Sequence, residues 1–182
     1  MKKRSKFLAV MLTAAVAASS FIGFSVFAAE EEETRTIVDA TGAEIEVPAH
    51  PQKIAIAAMV LPNMVYALQG NAENIVSIPP AAYSGWEMSI LKDLAPELED
   101  VDTTMVNDDF TVNVEALADA GVDLVINWDS ETDQAEQLKA LGIPCVLVSS
   151  AKDMDGLKSL VTMLGDTLNC EDREKEVTDW YD

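Results

Sequence analysis

Basic residues are scarce in this sequence, and that scarcity limits the partners that the protein can have. The 182 residues include 12 Lys and Arg against 32 Asp and Glu, a formal charge of −20. Four of the basic residues lie within the first six positions and the first acidic residue is Glu30, so the chain after position 28 carries 8 − 32 = −24. Because a protein that binds phosphates needs a positive field, we expect no nucleic-acid partner.

Histidine and cysteine are rarer still, with one and two copies. His50 stands between Pro48 and Pro51, which predicts a loop residue, not a metal ligand or a catalytic base. Cys145 falls in an apolar run, where a thiol is most often a small buried hydrophobe, and Cys170 follows a predicted helix. Nothing in the sequence brings the two cysteines together, so we expect neither a disulfide nor a metal site.

The motifs of common α/β enzymes are missing. No two glycines stand two residues apart, so there is no G-x-G-x-x-G dinucleotide fingerprint, and there is no phosphate-binding P-loop. A serine nucleophile elbow with its histidine is missing too. We therefore predict no catalytic residue, no cofactor and no enzymatic activity, and an α/β enzyme is the least favoured function.

The first 28 residues have the pattern of a secretory signal peptide. Basic residues precede an apolar run from Phe7 to Ala29, and the small residues Val26 and Ala28 fit a cleavage site. The run is long enough to span a bilayer, so an uncleaved anchor is the alternative, but Ala, Ser and Gly dilute the run and favour cleavage. It holds no cysteine that could accept an N-terminal lipid. We predict an exported protein, periplasmic or at the extracellular face of the cytoplasmic membrane, with residues 29–35 as a disordered acidic leader.

After this leader, the hydrophobic pattern predicts an α/β domain. Apolar and polar residues alternate on both sides of Thr41-Gly42, which indicates a β-hairpin. A buried strand then follows from Lys53, a helix ends at Gly70, and a second strand comes next. The turn-rich segment 79–85 is predicted to be a loop that leads into a short helix over 86–95.

The clearest part of the pattern is a series of helix, strand, helix and strand. Asn113 and Ser130 are the predicted N-caps of the two helices, one strand ends at Trp128, and the other runs through Cys145. Strands joined by short helical links form right-handed βαβ units, so we predict an open, mostly parallel sheet with helices on both faces, a Rossmann-like lobe. A long amphipathic helix follows and breaks at Asn169.

Open parallel sheets bind ligands at the carboxyl ends of their strands. Trp128 and Asp129 stand at such an end. The indole of Trp128 offers a flat apolar face to a ligand, or else is wedged under a loop. Asp129 either lies at the lip of the site, where it would repel an anionic ligand, or caps the next helix beside Ser130. Met59 and Val60, just after the first core strand, would form the floor of the site or pack in the core.

Two more aromatic residues follow the second strand of the predicted sheet. Tyr83 and Trp86 would border the same crevice, because the loop that carries them leaves the sheet at the same end. The alternative is that both rings pin this loop to the surface of the domain.

Four segments, in this order, resemble the N-terminal lobe of periplasmic binding proteins for ferric siderophores, haem and cobalamin. They are TIVDATGAEIEVPAHPQKIAI, VNVEALADAGVDLVINW, LKALGIPCVLVS and LKSLVTMLGDTLNCEDREKEVTDWY. The shared features are the D-x-x-G hairpin, the P-x-x-P-x-K-I entry to the first core strand, the D-L-V-I strand after a helix that begins N-x-E-x-L, and the L-G-I-P opening of the next strand. The resemblance implies that residues 36–169 form this lobe and that 170–182 begin the long interlobe helix of a fragment without the second lobe.

The same resemblance implies a function. Members of that family are solute-binding components of ABC importers and hold the ligand between two lobes. The implied ligand is a metal chelate, either a ferric siderophore, haem or cobalamin, and its implied contacts are Trp128, Tyr83, Trp86, Met59 and Asp129. In cobalamin-binding relatives, a Tyr and a Trp at matching places contact the corrin.

A second implied contact is with the membrane. An acidic residue at the position of Glu115 projects from the lobe tip in that family and pairs with an arginine of the permease. A helix-dipole interaction is the other reading of Glu115, and both can hold. We expect a monomer. The competing function is a lobe that binds a protein partner without any ligand.

Overall fold

The structure, a computed structural model, describes residues 33–181. The predicted signal peptide over 1–28 lies outside the described residues, as does most of the predicted leader. No helix between residues 33 and 181 is long and apolar enough to cross a bilayer.

The chain enters the fold through the predicted β-hairpin, which is confirmed. Strand β1 (Thr34–Val38) pairs antiparallel with β2 (Glu44–Pro48). The buried Asp39 closes the turn, since its Oδ1 accepts hydrogen bonds from the backbone N–H of Thr41 at 2.9 Å and of Ala43 at 3.1 Å. Because β1 begins at Thr34, the leader predicted over 29–35 is too long, and its last two residues belong to the hairpin.

The core of the protein is the predicted parallel sheet. Its strands are β3 (Ile54–Ile56), β4 (Ile75–Ser77), β5 (Leu124–Trp128) and β6 (Cys145–Val148), in the spatial order β4-β3-β5-β6. All three pairings are parallel, and the fold class is confirmed.

Seven α-helices and one 3₁₀ helix are described between residues 33 and 181. The α-helices are α1 (Leu61–Gln69), α2 (Pro80–Glu87), α3 (Leu91–Leu94), α4 (Val114–Ala120), α5 (Thr132–Ala140), α6 (Met154–Leu168) and α7 (Glu171–Trp180), and the 3₁₀ helix is Pro96–Asp100.

Successive strand residues face two separate cores, which explains why most strand positions are apolar. Ile54, Ile56 and Ile126 pack with buried residues of α1 and α6 on one face. Ala55 and Val125 pack with residues of α4 and α5 on the other face. Because neighbouring side chains of a strand point to opposite faces, a sheet covered by helices on both faces favours apolar residues at successive positions.

The segment after β4 differs from the prediction. Residues 80–87 form α2, where a loop was expected over 79–85, and the helix predicted over 86–95 is divided between the end of α2 and the four residues of α3. Pro80 occupies the first helical position, where a missing N–H costs nothing and the fixed φ suits the helix. The two prolines therefore mark a helix start, not a loop.

Of the two helix N-caps predicted from the sequence, one is wrong and one is confirmed. The N-cap residue of α5 is Glu131 without a side-chain cap, so the predicted cap by Ser130 is wrong. Asn113 does cap α4, with Oδ1 accepting a hydrogen bond from Ala116 N at 3.1 Å. Both cysteines are free thiols, and burial raises the pKa of Cys145 to about 12.

Helix α6 presents the predicted apolar face to the sheet and ends at Asn169, whose φ of 58° turns the chain into α7. The two helices pack so closely at Gly165 that a Cβ there would lie 2.5 Å from the Cβ of Glu174. Arg35 of β1 ties the start of α7 to the hairpin through its NH1, which lies 2.9 Å from Asn169 Oδ1 and 3.0 Å from Glu171 Oε1.

Candidate functional site at the carboxyl edge of the sheet

The carboxyl ends of the four parallel strands meet at one edge of the lobe. We call this the carboxyl edge and define it by the residues that follow or end the strands, namely 57–60, 78–80, 128–130 and 149–153. The strand register aligns these segments, because Ile56 pairs with Ile126 and Trp128 pairs with Val148. Parallel sheets of this kind bind ligands at this edge.

Apolar side chains form the part of the carboxyl edge that follows β3. Ala57 and Ala58 are fully buried, whereas Met59 and Val60 are 44% and 53% exposed. Such exposure at the end of a central strand contradicts the alternative that these two side chains pack in the core. It leaves an apolar surface in contact with water at the centre of the edge.

Trp128 is the last residue of β5 and lies beside this apolar surface. Its indole is half-buried against the core and meets the ring of Phe110 edge to face, with 6.3 Å between ring centroids and 85° between ring planes. Edge-to-face pairs of this kind are a favourable arrangement of aromatic rings. The structure thus brings Trp128, Met59 and Val60 to one edge and adds a second aromatic ring to them.

Phe110 belongs to a tight loop that is built onto the carboxyl edge. The loop is closed by a bridge between Val106 and Val112, and Phe110 adopts a left-handed φ of 69°, which is uncommon for a bulky residue. Strained backbone of this kind is found at functional sites when its surroundings hold it in place. Here Asn127 Nδ2 donates a hydrogen bond to the Phe110 carbonyl oxygen at 3.0 Å.

Asn127 is fully buried in β5 and holds both aromatic residues. Its Nδ2 binds Phe110, and its Oδ1 accepts a hydrogen bond from Trp128 N at 2.8 Å. Neither Phe110 nor Asn127 was predicted from the sequence as a site residue. The only signal for them was a polar amide inside an otherwise apolar strand.

Asp129 lies exposed at the carboxyl edge and does not cap α5. Its Oδ2 accepts a hydrogen bond from the Ser149 hydroxyl, which joins the end of β5 to the end of β6. The two residues border a depression of about 370 Å³, which is lined by Asp129, Ser149, Ser150, Lys152, Asp153 and Gly156. The alternative that Asp129 caps the next helix is therefore wrong, which leaves its predicted position at the lip of the site.

Trp86 does not reach the carboxyl edge. Its side chain is 3% exposed, and Nε1 donates a hydrogen bond to the Ala95 carbonyl oxygen at 3.0 Å. The structure therefore makes Trp86 a core residue, which corrects its prediction as a ligand contact. The reason is that α2, α3 and the 3₁₀ helix enclose the indole where a loop was expected.

Tyr83 packs on Trp86 with 5.1 Å between ring centroids, and its hydroxyl donates a hydrogen bond to the Glu99 carbonyl oxygen at 3.3 Å. Glu99 lies three positions before Asp102, which forms a bridge with Ser77 at the end of β4. Tyr83 is half-buried, and its role as a ligand contact stays a prediction.

Two aspartates of the Phe110 loop lie at the same edge. Asp108 Oδ1 accepts a hydrogen bond from Ala81 N at 2.8 Å and so closes the start of α2. Hydrogen bonds from the side chain and backbone of Thr111 lower the pKa of the exposed Asp109 below its ordinary value.

Glu115 is exposed in the first turn of α4, a helix that runs away from the carboxyl edge toward the start of β5. Among residues 33–181, no ion pair or hydrogen bond engages its carboxylate. Its charge is available to a partner. In the described part of the chain, no three His, Cys, Asp or Glu side chains are grouped so as to hold a metal ion.

Comparison with known proteins places this geometry in a family. A family model described as "Periplasmic binding protein" matches residues 62–182, most of the chain. The chain therefore belongs to the periplasmic binding protein family, whose members are substrate-binding components of ABC importers and not enzymes. Membership in this family implies export. No match was found among curated proteins.

Solved structures share the fold of this lobe. A periplasmic solute-binding protein from Veillonella parvula superposes with a TM-score of 0.78 at 32% identity, over 82% of this chain and 45% of that one. The molybdate-binding protein MolA of Haemophilus influenzae gives 0.66 at 19% identity, over 80% and 49%. The haem-binding protein HmuT gives 0.61 at 18% identity, over 81% and 44%.

The chain thus spans about half the length of the solved structures that it matches. The two lower identities establish the fold alone, and one of those proteins binds an oxyanion while the other binds haem. The carboxyl edge of this protein itself therefore carries the information about its ligand.

Proposed function

We propose that this lobe forms one wall of the ligand cleft in an extracytoplasmic solute-binding component of an ABC importer. We further propose that the ligand is an iron chelate, a ferric siderophore or haem, or else cobalamin, and that residues 1–28 direct export. The observation that carries the proposal is the exposure of large apolar side chains at the carboxyl edge, in a chain of this family. Met59 and Val60 leave apolar area in water that a ligand would cover.

The chemistry of the edge favours a ligand with a broad, weakly polar face. Trp128 and Phe110 present two aromatic rings, which stack on or pack against conjugated chelates. Their backbones are fixed through Asn127, so little conformational entropy is lost when a ligand binds. Among residues 33–181, no three His, Cys, Asp or Glu side chains are grouped so as to hold a free metal ion, which favours a metal carried inside its chelator.

Calorimetric titration of the purified full-length protein with a ferric siderophore, haem and cobalamin tests this proposal. We expect one of the three to bind, and we expect Trp128→Ala to lower its affinity about tenfold, since an aromatic contact is worth roughly 0.5–1.5 kcal/mol beyond its buried area. Trp180→Ala is the matched control, because Trp180 is 81% exposed on α7. It removes an indole outside the carboxyl edge and should leave the affinity unchanged.

A second variant protects the test from a loss of folding. Met59→Ser removes an exposed apolar side chain and should lower the affinity several-fold without changing the unfolding temperature. If none of the three compounds binds, the proposal fails. If one of the compounds binds the wild-type protein, Trp128→Ala and Met59→Ser with equal affinity, the carboxyl edge is not the binding site.

We also propose that Glu115 docks on the permease. Its carboxylate is exposed and unpaired among the described residues, as a docking charge must be. Glu115→Arg should reduce ligand-dependent stimulation of the cognate permease in proteoliposomes while ligand affinity stays unchanged, because a charge reversal at a rim acts on one interface only. Asp119→Arg reverses an exposed charge at the other end of the same helix and is the control. Equal stimulation by all three proteins would remove Glu115 from the interface.

A further inference from the structure

The charges at the carboxyl edge are almost all negative. Four exposed carboxylates lie on the edge or on the Phe110 loop that is built onto it: Asp108, Asp109, Asp129 and Asp153. The cation that lines the depression beside them is Lys152. None of the four carboxylates forms an ion pair with another residue in the described range. Their charge therefore acts on whatever occupies the edge.

Two of the four helix starts at this edge, those of α2 and α6, are already occupied by the protein's own side chains, whereas the start of α5 has no side-chain cap. Anions bind at helix N-termini through free backbone N–H groups. Asp108 accepts a hydrogen bond from Ala81 N at the start of α2, and Asp153 accepts one from Gly156 N at the start of α6, both at 2.8 Å. An anionic ligand would have to displace these carboxylates and then remain beside them.

The start of α1 offers no better anion site. It has no side-chain cap, but Pro62 removes one N–H from its first turn, and the exposed Met59 and Val60 lie in front of it. This part of the edge is apolar, so it suits a ligand without charge. The four carboxylates thus share the edge with an apolar surface, and Lys152 is the cation beside them.

We infer that the carboxyl edge of this lobe selects a chelate that is uncharged or positively charged, and that it discriminates against polyanionic chelates. The inference rests on the proposed function of the edge as one wall of a ligand cleft. Charge selection of this kind would distinguish between ligand classes that the fold and the aromatic rings would bind alike.

Two zinc porphyrins of the same ring size and opposite charge test the inference. One carries four N-methylpyridinium groups and the other four sulfonatophenyl groups, so both offer a flat conjugated face. Binding of each to the full-length protein is measured from the porphyrin absorption band at low and at high salt. We expect the cationic porphyrin to bind more tightly, and we expect its advantage to shrink with salt because ions screen exposed charges.

Paired variants separate the edge from the overall charge of the protein. Asp109→Asn combined with Asp129→Asn keeps the side-chain shapes and the acceptors for Thr111 and Ser149 but removes two charges. We expect this pair to lower the ratio of cationic to anionic affinity about tenfold, because both charges lie close to the bound probe. The control pair, Glu73→Gln with Asp119→Asn, removes two exposed charges at the opposite end of the strands and should change the ratio less than about twofold.

Three results would count against the inference. Tighter binding of the anionic porphyrin, with Trp128→Ala abolishing it, overturns the charge selection and leaves the proposed cleft in place. An equal effect of the two variant pairs shows that only the overall charge matters, and this also overturns it. If neither porphyrin binds, the proposed cleft itself fails, and the inference fails with it.

Discussion

The close packing of α6 on α7 predicts that one glycine-to-alanine substitution will destabilise the protein while another will stabilise it. Gly165 is buried in α6, and a Cβ at this position would lie 2.5 Å from Glu174 Cβ and 2.7 Å from Glu174 Cγ. Real Cβ atoms do not approach other carbons so closely, so α7 must move or strain. Glu174 is in turn held by a 2.6 Å hydrogen bond from the Thr162 hydroxyl to its carboxylate.

Two effects oppose each other in Gly165→Ala. Alanine in a helix interior is favoured over glycine by about 1 kcal/mol. Overpacking of a well-packed contact costs about 1–3 kcal/mol, and here the obstacle is a Cβ, which cannot rotate away. We therefore expect a net loss of up to about 2 kcal/mol in the free energy of unfolding, or up to roughly 8 °C in the unfolding temperature for a domain of this size.

Gly85→Ala is the matched control. Gly85 lies in α2, and no heavy atom lies within 4 Å of the position that its Cβ would occupy. The same chemical change should there gain up to about 1 kcal/mol from helix propensity alone. Urea unfolding followed by circular dichroism measures both variants. If Gly165→Ala proved as stable as Gly85→Ala, the packing of α7 against α6 described above would be wrong.

Two further predictions follow from buried or crowded polar groups. Asn127→Ala should lower the free energy of unfolding by about 2 kcal/mol, because the buried side chain that hydrogen-bonds the Phe110 carbonyl oxygen and Trp128 N is lost. It should also weaken the near-ultraviolet circular dichroism of the Phe110–Trp128 pair, whereas Asn107→Ala in the exposed loop should change that signal little. An unchanged spectrum of Asn127→Ala would refute the positioning role. Burial, followed by the charges of Glu171 and Glu174, raises the pKa of Asp166, so folding should become less favourable as pH rises from the ordinary Asp pKa through the raised one. Asp166→Asn should therefore be more stable than the wild-type protein at pH 7 and should lose that advantage in acid. A stabilisation that does not depend on pH would contradict this prediction.

The sheet and its hairpin could be predicted because their signals are local. The hairpin follows from alternation around Thr41-Gly42, and β5 with α5 and β6 follows from a periodicity that changes with each element. Asn113 caps α4 through a hydrogen bond to a residue three positions away, so its neighbours in the sequence reveal it. These elements need no knowledge of distant contacts.

The candidate site was harder to predict because its residues meet only in the folded chain. Phe110 is brought to Trp128 by a hydrogen bond from Asn127, 17 residues along the sequence. Trp86 was expected at the site, yet it is buried because Ala95 provides the acceptor for its indole N–H after a chain reversal. Neither event leaves a periodic pattern. The residues that directly follow a strand, such as Met59, could be predicted at the carboxyl edge. Phe110 and Asn127, which complete the edge, could not.

The outer strands of the parallel sheet, β4 and β6, are both partly covered, and this affects self-association. The free side of β4 is met by a single residue, Asp102, whose N–H and carbonyl bond to Val76 and Ile78, and the free side of β6 receives one bond from Ala40 N to the Leu147 carbonyl at 2.9 Å. Each outer strand is three or four residues long. An exposed strand is a template on which another chain can add. Here each template is both short and already obstructed, so neither edge of the parallel sheet offers an open row of backbone groups on which a second copy of this lobe could add a strand.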